Sequence, residues 1–477
     1  MPGPKTWQLT AGAAAIGLAL ATGAVALAGP WDSGQRTAER ARAASSDARG
    51  GAHHQRPADT EAPAPAPSAP GVLAALHPAG DAPVPAALPA ALAPLLADPA
   101  LGPHPAGSVL DTATGQVVYA SRADVAMTPA STTKIATATA VLTALPADHR
   151  FTTAVVAAPA DGSALTLVGG GDPTLDRARL AALADDTARA VRAHSLDHVR
   201  LTYDASLFTG TPVHPIGPNE NLAPVVALMT DEGRTTVPQS AAGSPGTEES
   251  GPGARTADPA GDTARAFARL LRDRGVRADD PVAGPGPAGA TAVASTRSAP
   301  LTEVVERMLT ESDNDIAEAL SRQTAIATGK PASFEGGAAA VAAQLAKEQL
   351  PLNGSVFTDG SGLNRADRLT ADLLTRLLAN AADPARPALR PILTGLPVAG
   401  FTGTLSTRYG TTSAATGLVR AKTGTLGGAG VNTLAGTVVD GGGHLLAFAF
   451  LTAGTPGADP APAQRALDRL ATRLTAH

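Results

Sequence analysis

Three short groups of side chains have the types and spacing that covalent chemistry requires: Ser131-Thr132-Thr133-Lys134, Ser312-Asp313-Asn314 and Lys422-Thr423-Gly424. A serine hydroxyl is a weak nucleophile until a base takes its proton. Positions i and i+3 share a helix face, so a helix beginning at Ser131 sets its hydroxyl beside the Lys134 amine. That amine is a base only when neutral, and burial or a second cation such as Lys422 pushes it that way. The chain has only five lysines, Lys5, Lys134, Lys330, Lys347 and Lys422, and uses arginine elsewhere. A lysine in a motif is therefore a candidate for the task arginine cannot perform, losing a proton. The chemistry this permits is acyl transfer through a serine ester.

The other two groups suit the same reaction. Ser312 can relay a proton between Lys134 and a leaving amine, and Asn314 can hold Lys134 and a substrate carbonyl. Alone, Ser and Asn in a helical segment more often bond to nearby backbone, and residues 311–318 are charged enough for an ordinary exposed face. Lys422 and Thr423 offer a cation and a hydroxyl to a carboxylate. Gly424 lets a substrate backbone lie alongside an edge strand. The backbone N–H groups of Ser131 and Thr425 would form an oxyanion hole.

The elements that must position these residues are legible in outline. Residues 127–134 run into an Ala/Thr/Leu helix that Pro146 stops. A helix over 301–328 carries Ser312 and Asn314, and 419–424 reads as a strand followed by a hairpin, 432–439 and 444–451, around Asp440-Gly441-Gly442-Gly443. An earlier hairpin pairs 108–111 with 116–119, residues 88–101 form a short helix, and an amphipathic helix over 462–474 packs on the sheet. Residues 359–365, Asp-Gly-Ser-Gly-Leu-Asn-Arg, form a tight loop. From about residue 147 the texture changes: 155–168 and 199–203 are strand-like, 175–194 and a segment around 267–271 are helical, and 235–261 is a Gly/Ser/Pro/Glu-rich loop. This stretch reads as an inserted α/β domain.

At the scale of the chain, 477 residues suffice for one large or two modest domains. The net charge of −5 gives no basic surplus for nucleic acid, and the absence of cysteine excludes disulfides, thiol nucleophiles and Cys-based metal sites. No His-Glu-x-x-His or comparable metal spacing occurs, so neither cofactor nor metal is expected. Residues 11–28 are nearly all apolar after a head containing Lys5, and Ala26-Leu27-Ala28 resembles a cleavage site. The organisation that follows is 1–30 as signal peptide or membrane anchor, 31–83 as an Ala/Pro-rich spacer, 84–146 with 289–477 as the catalytic domain, and 147–288 as the insert. The folded part is then placed outside the cytoplasmic membrane.

The three motifs, in this order, are the set shared by penicillin-binding proteins and class A β-lactamases. More narrowly, the chain resembles the class C low-molecular-mass penicillin-binding proteins, the D-alanyl-D-alanine carboxypeptidase/endopeptidase family, from roughly residue 84 to its end. The narrowing rests on Gly169-Gly170-Gly171-Asp172-Pro173-Thr174-Leu175, on residues 359–365, and on the long stretch between 131 and 312. The resemblance implies an α+β fold, a five-stranded antiparallel sheet between helical layers, with a domain inserted after the nucleophile helix. It implies peptidoglycan peptides ending in D-Ala-D-Ala as substrates, D-Ala-meso-diaminopimelate cross-links as further ones, and β-lactams as inhibitors. It places the nucleophile on Ser131, the base on Lys134, the second motif on Ser312 and Asn314, and carboxylate binding on Lys422 and Thr423. Residues 222–234 depart from the pattern typical of that family.

Two other readings share some of these residues. A class A β-lactamase needs a glutamate for its deacylating water, and Glu348 has a suitable distance after Ser312, although it reads as surface charge at a helix end. A silent wall-binding or penicillin-sensing module would have no need of Lys134 or Asn314.

Overall fold

The computed structural model describes residues 87–159, 161–235, 253–410 and 412–476. The apolar segment 11–28, the spacer, and most of the 235–261 loop fall outside these residues. No helix among the described residues is long and apolar enough to cross a membrane.

The chain begins with α1 (Leu88–Leu96), then the hairpin β1 (Ala106–Asp111) and β2 (Val117–Ser121), then α2 (Thr133–Ala144). A second set follows: β3 (Thr152–Ala158), β4 (Asp161–Val168), α3 (Arg177–Ala193), β5 (His198–Asp204), α4 (Pro259–Asp273), the short β6 (Arg277–Ala278) and β7 (Val282–Ala283), and β8 (Thr291–Arg297). The chain then returns through α5 (Leu301–Glu311), α6 (Asn314–Ala327), α7 (Phe334–Lys347) and α8 (Ala371–Ala382). It closes with β9 (Val419–Leu426), β10 (Val431–Val439), β11 (Leu445–Thr452) and α9 (Ala461–Arg473).

Among the described residues the strands form two sheets. The first has the order β2-β1-β11-β10-β9 and is antiparallel throughout. Its central strands β10 and β11 are buried along nearly their whole length, because both faces are covered by helices. One face packs α2, α5, α6 and α8 through Ile135, Val141, Met308, Leu320 and Leu374. The other packs α1 and α9 through Leu92, Leu467, Leu470, Phe448 and Phe450. This is the α+β architecture expected from the sequence.

The second sheet is mixed: β3 pairs antiparallel with β4 and β8, while β5 runs parallel to β4. Its helices α3 and α4 bury Leu180, Leu183, Phe267 and Leu271 in a separate core. Its edge strand β8 lies beyond residue 288, where the sequence reading ends the insert. Thr291–Arg297 has only Ala292-Val293-Ala294 as apolar residues, all small, between polar ends and with none fully buried, so it carries little apolar signal. The chain enters and leaves this sheet side by side, with Thr152 opposite Arg297.

Two local differences bear on the site. The helix expected over 301–328 is two helices, broken at Ser312, which adopts a left-handed conformation (φ 62°). The continuous strand-like stretch 155–168 is a hairpin of β3 and β4.

Candidate active site

The site forms where the start of α2, the α5–α6 break, the 359–365 loop and edge strand β9 meet. A turn over Ala130–Thr132 leads into α2, entered through Ala130 at φ 49°. Its Pro129 carbonyl accepts from Thr132 Oγ1 at 2.7 Å and from Thr433 Oγ1 of β10 at 2.9 Å, which pins the turn to the sheet. Ser131 is half-buried and Lys134 fully buried.

Lys134 Nζ donates to Ser131 Oγ at 3.0 Å, to Asn314 Oδ1 at 2.7 Å and to the Ser361 carbonyl at 2.9 Å. An ammonium has three hydrogens, so each has an acceptor. Burial pulls the Lys134 pKa down to about 8, against the opposing pull of Asp359, Asp313, Glu318 and Asp315. At neutral pH roughly a tenth of the amine is then unprotonated.

The left-handed break at Ser312 turns two neighbouring residues toward different lysines. Ser312 Oγ accepts from Lys422 Nζ at 2.7 Å, while Asn314, at the first turn of α6, faces Lys134. Between them Asp313 caps α6, accepting from the Ile316 N–H at 2.8 Å. Asn314 Nδ2 donates to the Asn221 carbonyl at 3.0 Å, a contact from the segment between β5 and α4.

Lys422 on β9 is also fully buried, and burial together with the charge of Lys134 holds its pKa well below the usual lysine range. Beyond Ser312 it reaches the Thr423 carbonyl at 2.9 Å. Thr423 Oγ1 donates to Thr404 Oγ1 at 2.9 Å. Gly424 stands opposite Thr433, where a Cβ would come within 2.2 Å of Thr433 Oγ1 and 2.9 Å of the Pro129 carbonyl. Only glycine lets β9 approach the nucleophile turn this closely. Thr425 lies exposed one residue further along the same edge. All eight residues singled out in the sequence lie on these elements, and five of them form two hydrogen-bonded sets, each around a buried lysine: Lys134 with Ser131 and Asn314, and Lys422 with Ser312.

Glu348 stands apart from this set: it follows the last residue of α7 and pairs with Arg386 at 2.6 Å. Sequence reasoning missed the Ser361 carbonyl, Glu318, Asp359, Asn221 and Thr404. The 359–365 loop was marked by its glycines, but its contribution is a backbone oxygen, and Thr404 sits in no recognisable pattern.

Among the described residues, two buried groups have the side chains a cation would need, His214 with Glu318 and Asp359, and Glu232 with Asp313 and Asp315. Both are already engaged. Glu318 accepts from Gly360 and Ser361 N–H, and Asp359 from Gly362 and Asn364 N–H. Glu232 pairs with Arg307 and Arg234, and Asp315 with Arg255. Three guanidinium groups make the second cluster an ion-pair network and a poor cage for a cation.

Comparison with known proteins gives a consistent result. The family model described as D-Ala-D-Ala carboxypeptidase 3 (S13) matches residues 88–253 and 244–474. A carboxypeptidase of Mycobacterium tuberculosis is 37% identical over 442 residues, covering 87% of this chain and 90% of the relative. The carboxypeptidase DacB of Mycolicibacterium smegmatis is 38% identical over 432 residues, covering 87% and 89%. Among solved structures, penicillin binding protein 4 from Haemophilus influenzae superposes with a TM-score of 0.67 at 22% identity, over 81% of this chain and 99% of that one. At that identity the match speaks for the fold.

Proposed function

Because the chain belongs to the D-Ala-D-Ala carboxypeptidase 3 (S13) family and is a serine-type D-Ala-D-Ala carboxypeptidase, we propose that Ser131 is its nucleophile and Lys134 its base. The observation that carries this is a buried lysine amine 3.0 Å from the Ser131 hydroxyl, its pKa brought down to about 8. The neutral amine takes the Ser131 proton, and Oγ attacks the carbonyl of the penultimate D-Ala. Thr423 and the cation of Lys422 hold the terminal carboxylate, and the N–H groups of Ser131 and Thr425 receive the oxyanion. The C–N bond breaks, and the departing D-Ala amine receives its proton through Ser312 from Lys134. Water then attacks the ester, giving its proton to Lys134, and Lys134 returns that proton to Ser131 Oγ as the ester C–O bond breaks.

A β-lactam presents the same carbonyl and carboxylate, and stalls as the ester. Peptidoglycan lies outside the cytoplasmic membrane, so the enzyme acts there, with residues 11–28 as export signal or anchor. The outer side of edge strand β9 is paired at residues 419–421 by residues 397–399, and among the described residues no strand pairs with it beyond there, which suits a cross-linked peptide as well as a free end, hence a DD-endopeptidase activity beside the carboxypeptidase one.

The test is intact mass after brief penicillin exposure followed by a chase in drug-free buffer, for wild type and Ser131→Ala. A long-lived adduct of one penicillin on the wild type and none on the variant is the expected outcome. An adduct that clears within seconds would point to a β-lactamase. No adduct on folded wild-type protein would remove Ser131 from the reaction and leave a binding module.

A further inference from the structure

His214 lies on the segment between β5 and α4 and has no part in the chemistry above. Its side chain is 1% exposed and that of its partner Asp359 is fully buried. His214 Nε2 stands 3.0 Å from Asp359 Oδ2, and the Ile216 N–H donates to Nδ1 at 3.2 Å. A ring nitrogen that accepts carries no proton, so Nδ1 is bare and the N–H at Nε2 donates to Asp359. The ring rests edge-on against Phe334, centroids 5.1 Å apart, which holds its orientation.

Asp359 distributes its remaining lone pairs over the loop that follows it. Oδ1 accepts from Gly362 N–H and Oδ2 from Asn364 N–H, both at 2.7 Å. These bonds wrap the loop around Gly362, whose φ of +83° and missing Cβ place it against the Ala130 carbonyl. At the crest of the loop is Ser361, whose carbonyl accepts from Lys134 Nζ at 2.9 Å. Glu318 of α6 holds the other side through Gly360 and Ser361 N–H. An unbroken chain of short contacts thus runs from the inserted segment to the amine.

We propose that His214 is a positioning residue for the reaction: by fixing the Asp359 carboxylate it shapes the loop whose Ser361 carbonyl holds the Lys134 amine against Ser131. This rests on Lys134 being the base. The charged groups that face Lys134 are Asp359 from the loop, Asp313, Asp315 and Glu318 from the α5–α6 region, and Lys422 from β9. Asp367 faces Asp359, and burial with the Asp359 charge pushes its carboxyl up to about 9, so it stands there as a neutral acid.

Two substitutions separate the donor from the ring. His214→Phe keeps the ring against Phe334 and removes the N–H; His214→Gln keeps an N–H in reach of Asp359 and removes the ring. The readout is the second-order rate of penicillin acylation against pH, divided by the fraction of sites that titrate with penicillin, so that misfolded protein is not counted. For His214→Phe the expected result is a loss of about tenfold to a hundredfold per titrated site. The acidic limb of its profile moves to lower pH, because a displaced Ser361 carbonyl no longer favours the ammonium. His214→Gln is expected to stay near wild type in both. A His214→Phe profile that coincides with wild type, or a folded His214→Gln as impaired as the phenylalanine variant, overturns the proposal while leaving Ser131 as nucleophile. If His214→Phe does not fold, the folded glutamine variant decides alone, by matching wild type or failing to. A wild type that takes no adduct overturns the reading of the site and this inference with it.

Discussion

Among the described residues, the two buried lysines of the site have no carboxylate bonded to either amine; their partners are hydroxyls, an amide and carbonyls. Burial without an ion-pair partner is what brings the Lys134 pKa down to about 8, since the carboxylates around it act from a distance. The sign of the pH dependence follows. Below that value the amine is protonated and cannot accept from Ser131, so penicillin acylation should rise about tenfold per pH unit at acid pH and level off above about 8. Stopped-flow acylation across pH 5 to 10 checks this, and a flat profile would remove Lys134 as the base. The side chains of this device could be read in the sequence because lysine is rare here and serine stands three residues before it. The Ser361 carbonyl could not: every residue owns a carbonyl, and only the fold says which one points at the amine.

The element that most departs from its sequence pattern is the helix read over 301–328. Its apolar period continues across Ser312, so periodicity alone joins the two halves. The break is written more quietly, in Asp313 three residues before Ile316, an N-cap spacing that starts α6 afresh. Ser312 is left in a left-handed conformation that a side chain adopts at a cost of roughly 1 kcal/mol or more. Both Ser312→Ala and Ser312→Gly lose the hydroxyl that Lys422 bonds, and both should lose most of the deacylation and D-Ala release that a proton relay supports. Glycine should nonetheless be the more stable of the two by about 1 kcal/mol, because only it relieves the backbone. Urea unfolding of the pair measures that difference; equal stabilities would show that the strain is absorbed elsewhere.

Across the whole molecule, the two sheets have separate cores joined by a small third cluster. In it Phe208, Leu222 and Val225 from the inserted stretch meet Ala319 and Phe334 from the helices. Arg322 of α6 passes through this junction fully buried, with its guanidinium over Phe334 at 4.5 Å and Phe208 at 5.6 Å. It donates to the carbonyls of Thr209, Thr211 and Ala332. Arg322→Met keeps the stem and strands the Thr209 and Thr211 carbonyls, while that of Ala332 keeps the Thr209 N–H, so unfolding free energy should fall by about 2 kcal/mol or more. Loss of less than about 1 kcal/mol would mean that water takes over the bonds. None of this junction was legible in the sequence, where an arginine in a charged helix looks solvated and only burial reveals the task. The order of the chain has a further consequence. Lys134 is separated from Asn314 by 180 residues, and the whole second sheet is synthesised between them. A chain emerging from its amino end therefore displays the serine and its neighbouring lysine long before the groups that orient them exist. The nascent enzyme is inert by construction, and acquires its reactivity only when its last strands have arrived.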